Sequence, residues 1–231
     1  MTQSSLGTIL LVCTSHADLG ETGNKTGFWM EELTAPYYAF KDAGYCVEIA
    51  SPKGGNPPVD PASQSKGMQG PSVERFETDE EAFAALSSST PLCEVVNTDA
   101  FAGVFLAGGH GTMWDFPENA ELGQILVQAA SQSKVIGAVC HGVAGLLSAD
   151  VSAALGGKAV SGFSNEEEAA VGLSDVVPFL LETKLRDAGF NYRSGEEFSP
   201  HVVTDGRLVT GQNPASSQDT ADAMVIALEN A

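Results

Sequence analysis

A cysteine that ends an apolar run and is followed at once by a histidine is the pairing here best suited to covalent chemistry. The run Val135-Ile136-Gly137-Ala138-Val139 enters Cys140-His141-Gly142-Val143-Ala144. Ala138 and Gly142 stand two residues either side of Cys140, and small residues there permit the sharp strand-to-helix turn of a nucleophile elbow. An elbow presents its side chain at the carboxyl edge of a sheet and at a helix N-terminus, where the dipole favours thiolate over thiol. Cys140 is therefore expected to be a low-pKa nucleophile; a small buried cysteine in a Gly/Ala-rich turn is the competing reading. A second apolar run, Ala102 to Leu106, leads into Ala107-Gly108-Gly109-His110-Gly111. Glycines let backbone amides approach a ligand, and the amides of Gly109 and His141 would make an oxyanion hole. A plain tight turn competes with that reading, whereas a phosphate loop is disfavoured because no Gly-Lys-Ser/Thr follows.

Glu31-Glu32 lies inside a helical stripe formed by Trp29, Leu33, Pro36, Tyr37 and Phe40, so one of the two acids should face the buried side. A carboxyl held beside a thiolate is pushed toward its protonated form by burial and like charge, and can then shuttle protons. A solvated helix pair is the alternative. His16, His110 and His201 are too far apart in sequence to argue a metal site, and none is expected. Cys13 and Cys46 fall on expected strands and read as small buried hydrophobes; Cys93 has no basic neighbour to activate it.

The elements that would position these residues alternate. Thr8 to Cys13 reads as a buried parallel strand, Phe28 to Ala43 as a helix ending at Gly44, and Tyr45 to Ala50 as a second strand. Ser51 to Gln69 is too rich in Pro, Gly and Ser for regular structure and long enough to cover a site. A helix from Thr78 to Leu86 is expected with Thr78 and Glu81 as a capping box. Strands at Ala102 to Leu106 and Lys134 to Val139 flank a helix from Glu118 to Ser131, and a small-residue helix from Val143 to Ala149 follows Cys140. Asp205-Gly206 marks a hairpin between apolar strands within Val202 to Thr210, and Ala215 to Leu228 closes the chain as a helix. Right-handed βαβ crossovers over a mostly parallel sheet, with helices on both faces, are implied: a doubly wound α/β sandwich in one domain spanning 1–231.

Composition narrows the partners. Eleven Lys and Arg against 30 Asp and Glu give a formal net charge of −19, which repels phosphate backbones and anionic lipid, so neither nucleic acid nor membrane is an expected partner. No apolar stretch is long enough to span a bilayer, and Met1 to Gly20 lacks the basic n-region of a secretory leader, so a cytoplasmic protein is expected. The four cysteines form no C-x-x-C pair, against both a zinc site and a disulfide scaffold.

Several segments together carry a family resemblance: Thr26-Gly27-Phe28-Trp29-Met30-Glu31-Glu32-Leu33-Thr34-Ala35-Pro36, Ala50 to Gly55, Ala107 to Gly111, Ala138 to Gly142, Gly162-Phe163-Ser164-Asn165-Glu166-Glu167-Glu168 and Thr210 to Ser216. In this order they resemble the DJ-1/PfpI superfamily, and most of all its heat-shock-protein-31-like class of glutathione-independent glyoxalases. The resemblance implies a flavodoxin-like sandwich of the class I glutamine amidotransferase-like type, usually a homodimer, with the elbow cysteine as nucleophile. It maps the cysteine and histidine onto Cys140 and His141, and the acid that bonds the cysteine, four residues before the helix proline, onto Glu32. The third triad member falls in the acidic run after Gly162-Phe163; counting favours Glu168, with Glu167 the alternative.

What the resemblance implies is a lyase of glyoxalase III (D-lactate dehydratase) type. It would convert methylglyoxal and related 2-oxoaldehydes to 2-hydroxy acids without glutathione or any other cofactor, in methylglyoxal detoxification and stress response. Removal of glycation adducts from proteins or nucleotides at the same site is an alternative, as is a stress holdase chaperone. Peptidase or amidase chemistry fits less well, because amidotransferase relatives carry a late His-x-Glu pair and His201 is followed by Val202-Val203. An elbow thiolate is also open to oxidation to sulfinate.

Overall fold

The computed structural model describes residues 6–230 apart from Lys66, Gln69 and Val96; Met1 to Ser5, where the leader reading begins, lie outside the described residues. Strands β1 (Thr8–Val12), β2 (Cys46–Ser51), β3 (Thr90–Pro91), β4 (Phe101–Leu106), β5 (Val135–Val139), β6 (Ala159–Val160), β7 (Asn191–Tyr192), β8 (Val202–Asp205) and β9 (Leu208–Gly211) alternate with helices. These are α1 (Met30–Asp42), α2 (Pro71–Phe76), α3 (Glu80–Ser87), α4 (Thr112–Asp115), α5 (Ala120–Ser131), α6 (Val151–Leu155), α7 (Asn165–Ala170), α8 (Leu181–Asp187) and α9 (Ser217–Glu229).

Seven strands form one sheet in the order β3-β2-β1-β4-β5-β9-β8. All neighbours are parallel except the expected β8–β9 hairpin, where Asp205 pairs with Leu208. β5 is buried along its whole length and β1 at all but its first residue, as strands covered on both faces must be. Helices cover both faces, with α1 and α9 packed together; the fold is the flavodoxin-like sandwich the sequence implies. Chain order reverses between β1 and β4, and at such a switch point the loops leaving the strands diverge and open a crevice at their carboxyl ends. The turns after β1, β4 and β5 all reach this edge. No helix among the described residues is long and apolar enough to cross a membrane.

Several local expectations change. The helix that precedes β3, α3, is capped by Asp79, whose side chain accepts from the Ala82 amide at 3.0 Å, and Thr78 instead bonds back to the Arg75 carbonyl. The segment after Cys140 winds as a 3-10 helix, Cys140–Leu147, rather than as an α-helix over Val143 to Ala149. Gly142 lies so close to β4 that a Cβ there would stand 2.5 Å from the Leu106 carbonyl oxygen, and tight winding suits so close an approach. A small second sheet of β6 and β7, together with α2, α6, α7 and α8, was not expected from periodicity. Cys46, the first residue of β2, is exposed rather than buried, whereas Cys13 is buried as expected.

Candidate active site

The turn out of β5 places Cys140 at φ 55°, a left-handed conformation that costs a non-glycine residue energy and persists only when its surroundings impose it. Its thiol opens onto a cavity of about 490 Å³. Trp29, Met68, Phe163, Val171, Phe198 and Pro214 supply an apolar lining, and Glu31, Gly109, His110 and His141 a polar one. Gly67, Met68 and Gly70 bring the long loop after β2 onto this cavity, the covering role expected of it.

His141 is 1% exposed. Its Nδ1 lies 3.4 Å from Cys140 Sγ and its Nε2 2.8 Å from Glu168 Oε2. Glu168 is also met by His110, with Nε2 to Oε1 at 3.0 Å. Burial opposes ionisation of Glu168, but the two imidazoles outweigh it and hold the carboxyl far below the usual range. An ionised carboxylate only accepts, so both imidazoles present Nε2–H to it. Burial, and then the neighbouring His110, lower the His141 pKa. The neutral ring with its proton on Nε2 turns the Nδ1 lone pair toward the thiol, the arrangement of a cysteine, a base and an orienting acid.

Glu167 is fully occupied elsewhere. With Ser164 it forms a reciprocal capping box at the start of α7, while its Oε1 accepts from the Phe198 amide at 2.8 Å and from Asn213 Nδ2 at 2.7 Å. That leaves Glu168 facing His141, so the acidic run divides between a cap and the relay.

On α1, Glu32 is fully buried and Glu31 lines the cavity. Burial pushes the Glu32 carboxyl well up; its polar neighbours are the Cys140 thiol and the Gly108 amide, and its charged neighbours, Glu31 and Asp60, are both acids. Neither of its oxygens has a hydrogen bond of good geometry. A Cβ at position 108 would stand 2.3 Å from Glu32 Oε2, so only glycine lets this carboxyl reach the nucleophile. Gly109, at φ 104°, backs onto Gly27 and Trp29 so tightly that a Cβ would fall 2.4 Å from the Gly27 carbonyl oxygen. The His141 amide adjoins the Cys140 sulfur.

One expectation fails on electrostatics. Burial pushes the Cys140 thiol well above its ordinary value, while the His141 amide beside the sulfur works the other way. Burial favours the thiol, and His141 Nδ1 stands beside it as the base.

A match to the DJ-1/PfpI family spans residues 25–227. The chain belongs to this family. It is 33% identical to the glutathione-independent glyoxalase hsp3101 of Schizosaccharomyces pombe, with 96% of each chain covered. Among solved structures, the glyoxalase III of Candida albicans is similar at a TM-score of 0.88 and 28% identity, covering 97% of this chain and 98% of that one. The Rapid Encystment Protein of Francisella tularensis is similar at a TM-score of 0.90 and 40% identity, covering 96% and 99%.

Against this family frame, His110 is the site residue that sequence reasoning missed. Its ring centroid lies 4.0 Å from that of His141, and its place directly after the Gly-Gly turn of β4 was the available signal. His16 stacks on Trp114, and His201, whose amide bonds Ser216, stands apart from the cavity lining. The side chains of His110, His141 and Glu168 offer ligand atoms within 4.8 Å of one another, a cluster that spacing along the chain concealed.

Proposed function

We propose that this DJ-1/PfpI protein is a glutathione-independent glyoxalase that converts methylglyoxal and related 2-oxoaldehydes to 2-hydroxy acids without a cofactor. The observation that carries this reading is the Cys140–His141–Glu168 relay beside a buried, neutral Glu32. Sulfur attacks the aldehyde carbon while His141 Nδ1 takes the thiol proton, and the new oxyanion rests on the Gly109 and His141 amides before it is protonated to a hemithioacetal. Hydrogen then moves from the aldehyde carbon to the adjacent carbon through an enediol: a base removes a proton from the first and an acid returns one to the second. The first carbon is oxidised to a thioester and the second reduced to an alcohol, with no external oxidant. Glu32 and His141 are the two groups placed to carry that proton. Water cleaves the thioester, releasing the hydroxy acid and restoring the thiol.

The similarity over nearly the full length to glyoxalases of fungi supports the same reading, as does the apolar cavity, which shields an enediol from bulk water. A cytoplasmic homodimer is part of the proposal; sedimentation velocity tests the dimer. Lactate formation from methylglyoxal without glutathione tests the reaction, with Cys140→Ala and Glu32→Gln as companions. Lactate from the parent and none from either variant supports the mechanism; no lactate above buffer from the parent overturns it.

A further inference from the structure

The polar groups that orient the nucleophile's base also make a donor set for a transition metal. His110 Nε2 and His141 Nε2 stand 3.0 and 2.8 Å from the two oxygens of Glu168. Two ligand atoms bound to one zinc ion at about 2.0–2.2 Å each are themselves separated by about 3.3–3.6 Å in a tetrahedral site, so chelation asks each nitrogen to draw back from its oxygen by a few tenths of an ångström and the donor atoms, all within 4.8 Å of one another, to close around the ion. Two imidazoles and one carboxylate are the donors of zinc sites that keep an open position. An entry path exists, because His110 and His141 line the cavity, although Glu168 is only 2% exposed. Two imidazoles also select against magnesium and calcium, which prefer oxygen donors.

We propose that His110, His141 and Glu168 form an inhibitory zinc site that competes with the catalytic arrangement. Binding requires the Nε2 lone pairs, so each imidazole must shift its proton from Nε2 to Nδ1. At His141 this places an N–H where the lone pair faces Cys140 Sγ, 3.4 Å away. The base that would accept the thiol proton is thereby removed. Sγ adjoins the opposite edge of the ring from the metal, so the nucleophile is not a required ligand. The binding claim stands on the donor geometry alone; the inhibition claim rests on His141 being the base of the proposed reaction.

The experiment is a zinc titration of reduced, metal-free protein against a chromophoric chelator. Exposed Cys46 and Cys93 are replaced by serine in every sample, so that surface thiols do not bind the probe. One zinc per chain, unchanged in Cys140→Ser and weakened at least tenfold in both His110→Ala and His110→Asn, is the expected result. Stoichiometry below one half, or affinity in a folded His110 variant within threefold of the parent, overturns the site. Circular dichroism establishes folding, and Asn serves if Ala does not fold. In parallel, one equivalent of bound zinc should abolish lactate formation and a chelator should restore it. Binding with undiminished lactate formation overturns the inhibition, whereas a parent that makes no lactate bears on the glyoxalase reading and leaves the titration to decide the site.

Discussion

Replacing Glu32 by Gln should remove activity and, as pH rises, make the fold progressively more stable than the parent. Glu32 is fully buried, its charged neighbours are acids, and neither oxygen has a well-formed hydrogen bond. The folded state therefore keeps a proton that the unfolded chain releases near a pKa of about 4.3. A raised acid pKa means that the folded state binds more protons. The stability linked to this residue is fully present below the unfolded pKa and falls as pH climbs toward the folded one. For one proton the slope is about 1.4 kcal/mol per pH unit. Gln does not titrate, so the stability gap between variant and parent should widen by that amount per unit, or roughly 3–6 °C in Tm for a chain of this length. Any fixed cost of burying the amide is independent of pH and drops out of the slope. Thermal melts of both proteins between about pH 5 and about pH 7, where a buried acid and a solvated one differ in charge, measure it. A gap that stays constant across that interval would refute a protonated Glu32, and with it the donor assigned to the nucleophile.

Three further outcomes follow from the same geometry. Glu168→Gln leaves one imidazole facing an amide N–H instead of an acceptor, so lactate formation should fall on the order of 10⁴-fold, in line with tautomer loss in other triads; activity within tenfold of the parent contradicts the relay. Glu167→Gln confronts donors from Ser164, Phe198 and Asn213 with an amide, and urea unfolding should show a loss of about 2–4 kcal/mol. Iodoacetamide at neutral pH should label the exposed Cys46 and Cys93 faster than Cys140, with Cys140 gaining as pH rises, because burial holds it as a thiol; peptide mass spectrometry showing Cys140 as the fastest site would restore a preformed thiolate.

Which features could be read from the sequence follows from the range of the forces involved. β1, β4 and β5 are continuous apolar runs, and a strand buried on both faces carries that signature without reference to its partners. Cys140 was equally visible, because an elbow needs small residues at fixed offsets. The stretch from 151 to 201 was not, since its helices and strands run from two to seven residues, too short to establish a period. Choosing between Glu167 and Glu168 was possible in principle: Ser164-x-x-Glu167 is a capping-box pattern, which commits Glu167 to the helix start and frees its neighbour. His110 carried only its place after the Gly-Gly turn, because its partner Glu168 lies 58 residues away and only the sheet edge brings them together. The low thiol pKa was an error of magnitude. Turn geometry suggested a stabilising dipole, but full desolvation is the larger effect and has the opposite sign.

The two carboxyls of the site acquire different chemistry from their surroundings alone. Glu32 sits under the sulfur with no cation near it, and burial keeps it neutral; Glu168, also withdrawn from water, meets two imidazole N–H groups and stays ionised. Exchanging their environments would exchange their roles, as in other enzymes where paired acids divide donor and stabiliser functions. The division suits a reaction that must move hydrogen between adjacent carbons. A neutral Glu32 can supply a proton without first recruiting one, and an ionised Glu168 holds His141 in the tautomer that can remove one. A site with both carboxyls ionised would have no resident donor and would repel the thiolate; with both neutral, neither imidazole would be fixed. The opposed shifts therefore allow the Cys140 thiol, with His141 as its base, to react at neutral pH even though no cation among the described residues lowers its pKa. They also explain why Gly108 cannot be larger: it is the gap through which the neutral acid reaches the nucleophile.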